Sequence, residues 1–119
     1  MTITSAICNS FKQEILVGTH NFTASSGNTF KLALFSSDSA SLSKSTTAYT
    51  APSSANAVPT NTLEVSQSQT DGGASNSGYT AGGNALTSAT PVLSGDTACV
   101  KFSDTSFTSA SFTARGCLI

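Results

Sequence analysis

The sequence has few charged residues. Lys, Arg, Asp and Glu make up 9% of its 119 residues, and the formal net charge is −1, whereas about 25% of the residues of a typical soluble domain are charged. A nucleic-acid-binding protein that relies on a basic surface does not fit these values, so we expect no nucleic-acid partner. A long charged helix or coiled coil does not fit them either.

Tryptophan and long apolar runs are also missing. A helix needs about 20 consecutive apolar residues to span a bilayer. No stretch approaches that length, so we expect no membrane partner. The N-terminal region lacks an early positive charge, and Lys12 and Glu14 interrupt its apolar residues. These features do not match a secretory signal peptide, and we expect a protein made in a cytoplasm.

The residue patterns of catalytic and metal sites are absent as well. His20 is the single histidine, and we expect a structural role for it beside the end of a predicted helix. The glycine-rich stretch lacks the lysine of a phosphate-binding loop, and neither a G-x-S-x-G elbow nor a calcium-binding loop occurs. We therefore expect no enzymatic activity, cofactor or metal. The sequence indicates no catalytic residue and leaves the binding residues unknown.

Three cysteines, Cys8, Cys99 and Cys117, are too far apart for a C-x-x-C motif. Neither a zinc site nor a redox motif is indicated. Free cysteine is among the most buried residue types, so we expect small buried apolar side chains. A bridge between Cys99 and Cys117 remains an alternative.

Serine and threonine dominate what is present, with 22 Ser and 18 Thr. Threonine suits a pleated strand, and serine and glycine suit turns. The hydrophobic fraction is an ordinary 38%, which argues against disorder. The length suits one domain. We expect residues 1–119 to form a single β-rich domain with a weakly charged surface.

One segment near the N-terminus has helical periodicity. A one-sided apolar stripe predicts a helix over about residues 5–17, with Thr4 or Ser5 as the N-cap and Gly18 at the C-terminal end. The helix either packs on a sheet or docks on a neighbouring subunit. The stripe consists of Ile7, Cys8, Phe11, Ile15 and Leu16.

Several short segments have the alternation of β-strands. Phe30, Leu32 and Leu34 alternate within a predicted central strand, and Leu63 and Val65 flank Glu64 in a short half-buried one. Further strands are predicted over 86–92, over 97–103 with Ala98, Val100 and Phe102 facing inward, and over 111–119 with Phe112, Ala114 and Leu118 on one face. This spacing predicts an antiparallel β-sandwich or small barrel with one N-terminal helix.

Two segments lack such patterns. Residues 36–61 predict a long polar loop with one short strand near 46–50, and the loop is either solvated or a contact arm. Five of the nine glycines lie between Gly72 and Gly83, which predicts a hairpin or corner with Tyr79 folded over it.

An ordered series of motifs runs through the chain: KQEILVGTHNF at 12–22, TFKLALFSS at 29–37, STTAYT at 45–50, LEVSQ at 63–67, GYTAGG at 78–83, TACVKFSD at 97–104 and FTARG at 112–116. The series resembles small virion structural proteins of tailed bacteriophages, including phages of cyanobacteria and other marine bacteria. The resemblance implies an all-β virion component, made in the bacterial host cytoplasm and without catalytic activity.

The resemblance leaves two roles open. One is a capsid decoration or cement protein, a homotrimer that binds the major capsid protein and stabilises the assembled head, with the loop at 36–61 and the N-terminal helix as expected contacts. The other is a tail, baseplate or fibre-associated module that binds host glycans. Glycan binding needs exposed aromatic side chains, for which Tyr49 and Tyr79 are the candidates.

Overall fold

The structure is a computed structural model and describes residues 5–35, 42–47, 64–65 and 78–119. These residues contain helix α1 (Asn9–Leu16) and strands β1 (Phe30–Phe35), β2 (Asn84–Leu86), β3 (Ser88–Ser94), β4 (Thr97–Phe102) and β5 (Gly116–Leu118). Every pairing among these strands is antiparallel. In this part of the chain the predicted mainly β class with one N-terminal helix is confirmed. The strands described form two open sheets and no closed barrel.

Strand β1 is the centre of a three-stranded sheet with the order β2-β1-β5. Its first half pairs with β2, where Phe30 lies opposite Leu86, and its second half pairs with β5, where Leu34 lies opposite Cys117. An isolated bridge joins Phe35 to Glu64. The predicted central strand is therefore confirmed. On one face of the strand Ala33 and Phe35 are buried, although Lys31 on the same face is exposed. On the other face the side chains are half-buried: Phe30, Leu32 and Leu34.

The strand predicted over 86–92 is divided between two sheets. β2 pairs with β1, whereas β3 begins two residues after β2 ends and pairs with β4. The carbonyl of Thr87, between β2 and β3, accepts a hydrogen bond from the Ser103 N–H. The chain thus passes from one sheet to the other at Thr87.

Strands β3 and β4 form a hairpin. Ser94 pairs with Thr97 across the two-residue turn Gly95-Asp96, and Gly95 has a φ of 63°. Glycine is favoured at the first turn position of such a hairpin because a positive φ there matches the strand twist. A register shift between Ala89 and Val92 places Pro91 at a β-bulge, one of the few positions where a strand tolerates proline.

Helix α1 is shorter than predicted. It begins at Asn9, its N-cap is Cys8, and no side chain caps it. Ser5 lies outside it, and Thr4 lies outside the described residues. In place of a hydroxyl cap, a backbone carbonyl satisfies the first N–H group of the helix: the Asn9 N–H donates to the Lys44 carbonyl.

The C-terminal end of α1 agrees with the prediction. Gly18 has a φ of 75°. Its N–H donates to the Ile15 carbonyl, and the Thr19 N–H donates to the Glu14 carbonyl. These two hydrogen bonds form a Schellman motif, which favours glycine at this position.

The structure contains less strand than was predicted in one loop and at the C-terminal end of the chain. Residues 46–47 are not in a strand, and the rest of the segment predicted near 46–50 lies outside the described residues. Most of the predicted loop at 36–61 also lies outside them. The final strand is restricted to Gly116–Leu118, because residues 107–112 fold over Tyr79 instead of pairing.

Candidate interaction surface

A buried carboxyl group, that of Glu64, lies beside the end of β1. Glu64 is 2% exposed and Tyr79 is fully buried. The Tyr79 hydroxyl donates to Glu64 Oε1 at 2.7 Å, and the Gly82 N–H donates to the same oxygen at 2.6 Å. The Leu34 N–H donates to the Tyr79 hydroxyl at 2.9 Å. Buried polar groups of this kind are tolerated because they are hydrogen-bonded.

The glycines around Tyr79 are required by close backbone approach. Gly83 has a φ of 73°, and a Cβ atom there would overlap the carbonyl oxygen of Leu32. A Cβ atom at Gly78 would overlap the carbonyl oxygen of Thr108. The GYTAGG motif therefore brings one corner of the chain against β1 and against residues 108–109.

The FTARG motif reaches the same place from the C-terminal side. Phe112 packs on Tyr79 with ring centroids 5.7 Å apart, and Phe107 packs on Tyr79 at 5.4 Å. The Arg115 N–H donates to the Phe35 carbonyl. Described residues of four motifs that are distant in sequence, TFKLALFSS, LEVSQ, GYTAGG and FTARG, thus meet around Glu64 and Tyr79.

This arrangement corrects two predictions. Tyr79 is not an exposed stacking surface for glycans, because its ring is enclosed by Phe107 and Phe112 and its hydroxyl is used by Glu64 and Leu34. Tyr49, the other candidate, lies outside the described residues. Glu64, assigned by alternation to the polar side of a half-buried strand, is buried. The sequence feature that could have indicated this burial is a single charged residue between two apolar ones, Leu63 and Val65.

A second cluster contains four rings and the imidazole of His20. Phe22 stacks on Phe30, with ring centroids 4.3 Å apart and ring planes inclined by 6°. The ring centroids of Phe102 and Phe30 are 5.7 Å apart. Phe11 of α1 contacts Phe22 at 6.1 Å and His20 at 4.9 Å. This aromatic cluster joins α1 to β1 and β4, so it connects the helix to both sheets.

His20 lies at the edge of the aromatic cluster. Its Nε2 atom is 2.6 Å from Oε2 of Glu14, in the last half of α1. The side chains are partly exposed, and pairs of this kind contribute about 0–1 kcal/mol. The contact ties the segment after the helix back onto the helix.

Beyond Phe102, the apolar side of the hairpin is uncovered. Alternation along the strands and the register place Ser88, Leu93, Ala98, Val100 and Phe102 on one side, which we call the hairpin face. Phe102 is half-buried in the aromatic cluster, but Val100 is 49% exposed and Leu93 is 74% exposed. The prediction that Ala98 and Val100 point into a core is wrong, because the hairpin extends past the cluster. Cys99, on the opposite side of β4, is half-buried.

A second group of exposed apolar side chains lies along α1. Ile7, Ile15 and Leu16 belong to the stripe that was predicted either to pack on a sheet or to dock on a neighbouring subunit. All three are exposed, Leu16 by 87%. Phe11 makes the described ring contacts of the helix. Most of the apolar stripe therefore faces outward instead of packing on the sheets.

The three cysteines are free thiols. Cys117 is exposed, and Cys8 and Cys99 are half-buried. The expectation of buried side chains is therefore wrong for all three, and the alternative bridge between Cys99 and Cys117 is not formed. Cys8 is the N-cap residue of α1. Cys117 lies in β5, opposite Leu34 of the central strand β1.

Two features are absent from the described ranges. No group of three or more His, Cys, Asp and Glu side chains there could hold a metal ion. No helix there combines the length and the apolar character that crossing a membrane requires. Comparison of the chain with models of protein families, with curated proteins and with solved structures gives no match.

Proposed function

We propose that this chain is a non-enzymatic structural protein of a tailed-bacteriophage virion that decorates the assembled capsid and stabilises it. The observation that carries the proposal is the combination of exposed apolar side chains on the hairpin face and on α1 with a charged fraction of 9%. Contiguous exposed apolar surface, unlike a single exposed apolar side chain, indicates contact with other proteins, and charged residues are depleted from the cores of protein interfaces.

The positions of the motifs that carry the resemblance are consistent with this role. The motif residues around Glu64 and Tyr79 make contacts inside the molecule, which leaves the hairpin face and α1 for contacts with partners. The proposed partners are the major capsid protein and further copies of this chain. Location in the virion follows from the proposed role.

The proposed mechanism is binding linkage. A protein that binds the assembled shell but not its dissociated subunits adds its binding free energy to the stability of the shell. Each contact need contribute little, because many copies bind one particle. No bond is made or broken, and no cofactor takes part.

We further propose that the two sheets pack as a β-sandwich at the end of the hairpin that carries Phe102. Phe30 belongs to β1 and Phe102 to β4, and their rings contact each other at 5.7 Å. Contact between inward-facing aromatic side chains of two antiparallel sheets is typical of sandwich cores.

Copy number in purified particles tests the proposed role. Quantitative mass spectrometry against the major capsid protein should give one copy per one to a few capsid subunits. A few dozen copies or fewer per particle would assign the chain to the tail, baseplate or fibre and contradict the capsid role. Absence from the particles would contradict both.

A further inference from the structure

The two edges of the β3–β4 hairpin differ in their protection. β3 contains Pro91 and the bulge between Ala89 and Val92, and both features oppose pairing with another strand. β4 is regular over six residues and has neither feature. In the part of the chain that the structure describes, β4 pairs with β3 alone. The outer edge of β4 is therefore suited to accept a further strand.

The hairpin also needs more support than it receives. A two-stranded hairpin is marginally stable in water unless a third strand or a packed face supports it. Phe102 anchors one end of the hairpin face in the aromatic cluster, whereas Val100 and Leu93 stay largely exposed. A strand added beside β4 would widen the sheet and give the hairpin the third strand that supports it.

The charges of β4 permit a second β4 strand as that partner. Lys101 is the single charged residue of the strand. Two β4 strands paired antiparallel about a two-fold axis at Cys99 or Val100 place Lys101 opposite Thr97 or Cys99 of the other copy. No like charges are then directly opposite each other, an arrangement that would be destabilising. The same pairing joins the two uncharged hairpin faces into one continuous apolar surface.

We propose that two copies of this chain associate through their β4 edges, antiparallel across a two-fold axis, to form a four-stranded sheet with the order β3-β4-β4-β3. The interface is isologous, so the same residues contribute from both copies. This pairing builds a dimer and not the expected trimer. It does not depend on the proposed place of the protein in a virion.

The test is the mass of the purified full-length chain in solution, measured by light scattering over a concentration series. The wild-type chain should be a dimer at high concentration. Val100→Lys should be monomeric at the same concentrations, because a charge is placed beside the axis. Val92→Lys is the matched control, since Val92 is similarly exposed, at 62%, but lies on the opposite face and on the protected strand. It should remain dimeric.

Hydrogen exchange gives a second readout that does not require a variant. The β4 amides that point away from β3 should become protected in the wild-type chain as its concentration rises. A monomer at all concentrations, a trimer, or equal loss of association in Val92→Lys and Val100→Lys would overturn the proposal. Circular dichroism of both variants shows that they are folded. Copy number in particles is measured separately, so failure of the capsid role and failure of this pairing are distinguishable.

Discussion

At the scale of single residues, the molecule depends most on groups around Glu64. A carboxyl group that is almost completely buried is costly unless hydrogen bonds replace those it made to water. Here the Tyr79 hydroxyl both donates to Glu64 and accepts from the Leu34 N–H. One hydroxyl thus connects the Glu64 segment, the glycine-rich corner and β1.

Tyr79→Phe should lower the free energy of unfolding by about 1–3 kcal/mol, because it removes the donor to Glu64 and the acceptor of the Leu34 N–H in a buried site. Urea denaturation measures the change. Thr80→Val, which removes a hydroxyl from the exposed neighbouring residue, should change it by less than about 0.5 kcal/mol. Equal effects of the two substitutions would contradict the assigned role of Tyr79.

Gly83→Ala should be more destabilising than Gly18→Ala. Both residues have a φ near 75°, so both alanines incur a left-handed penalty of about 1–2 kcal/mol. Only the alanine at Gly83 would also overlap the Leu32 carbonyl, since nothing lies within 4 Å of a Cβ at Gly18. We expect Gly83→Ala to lower the free energy of unfolding by more than about 3 kcal/mol in total. Denaturation of the two variants side by side checks this, and similar losses would show that β1 is not packed there as described.

At the scale of elements, helix α1 is the least supported. It has eight residues, no side-chain cap and no buried residue, and isolated helices of this length are unstable in water. Its ring contacts through Phe11 and the Asn9 hydrogen bond to Lys44 hold it in place. The Schellman motif at Gly18 ends it in a defined geometry.

Cys8→Ser should stabilise the protein by about 0.5–1 kcal/mol. Cys8 is the N-cap residue and has extended backbone angles, and a serine there can accept hydrogen bonds from the first free N–H groups of the helix. Cys117→Ser is the control, since Cys117 is an exposed strand residue and its replacement should give no gain. Thermal unfolding under reducing conditions measures both, and a loss at Cys8 would contradict the cap assignment.

At the scale of the whole molecule, stability should be unevenly distributed. β1 is paired on both sides and contains two buried residues, whereas β3 and β4 are exposed along most of their length. Regions with few buried apolar contacts open locally at lower free energy.

Amide hydrogen exchange at low protein concentration should therefore be slowest in the second half of β1 and faster in the hairpin by on the order of tenfold or more. Mass spectrometry of peptides from the two regions measures this. Faster exchange in β1 than in the hairpin would contradict the described distribution of burial. Buffer with and without a thiol reductant should give the same result, because the described cysteines are free.

Local patterns in the sequence were sufficient for the parts of the fold that depend on neighbouring residues. The Phe30–Phe35 strand, the turn at Gly95 and the helix end at Gly18 were predictable because side-chain alternation and the conformational freedom of glycine act over a few residues. The mainly β class followed from the same patterns.

Tertiary structure alone decided which of these segments meet and which side chains are covered. Alternation assigns a face to Val100 or Glu64, but whether that face is buried depends on chain many residues away. Val100 is exposed because the hairpin extends past the aromatic cluster, and Glu64 is buried because Tyr79 and Gly82 approach it from a distant turn. Burial is a property of packing over long sequence separations, and no periodicity within a segment contains that information.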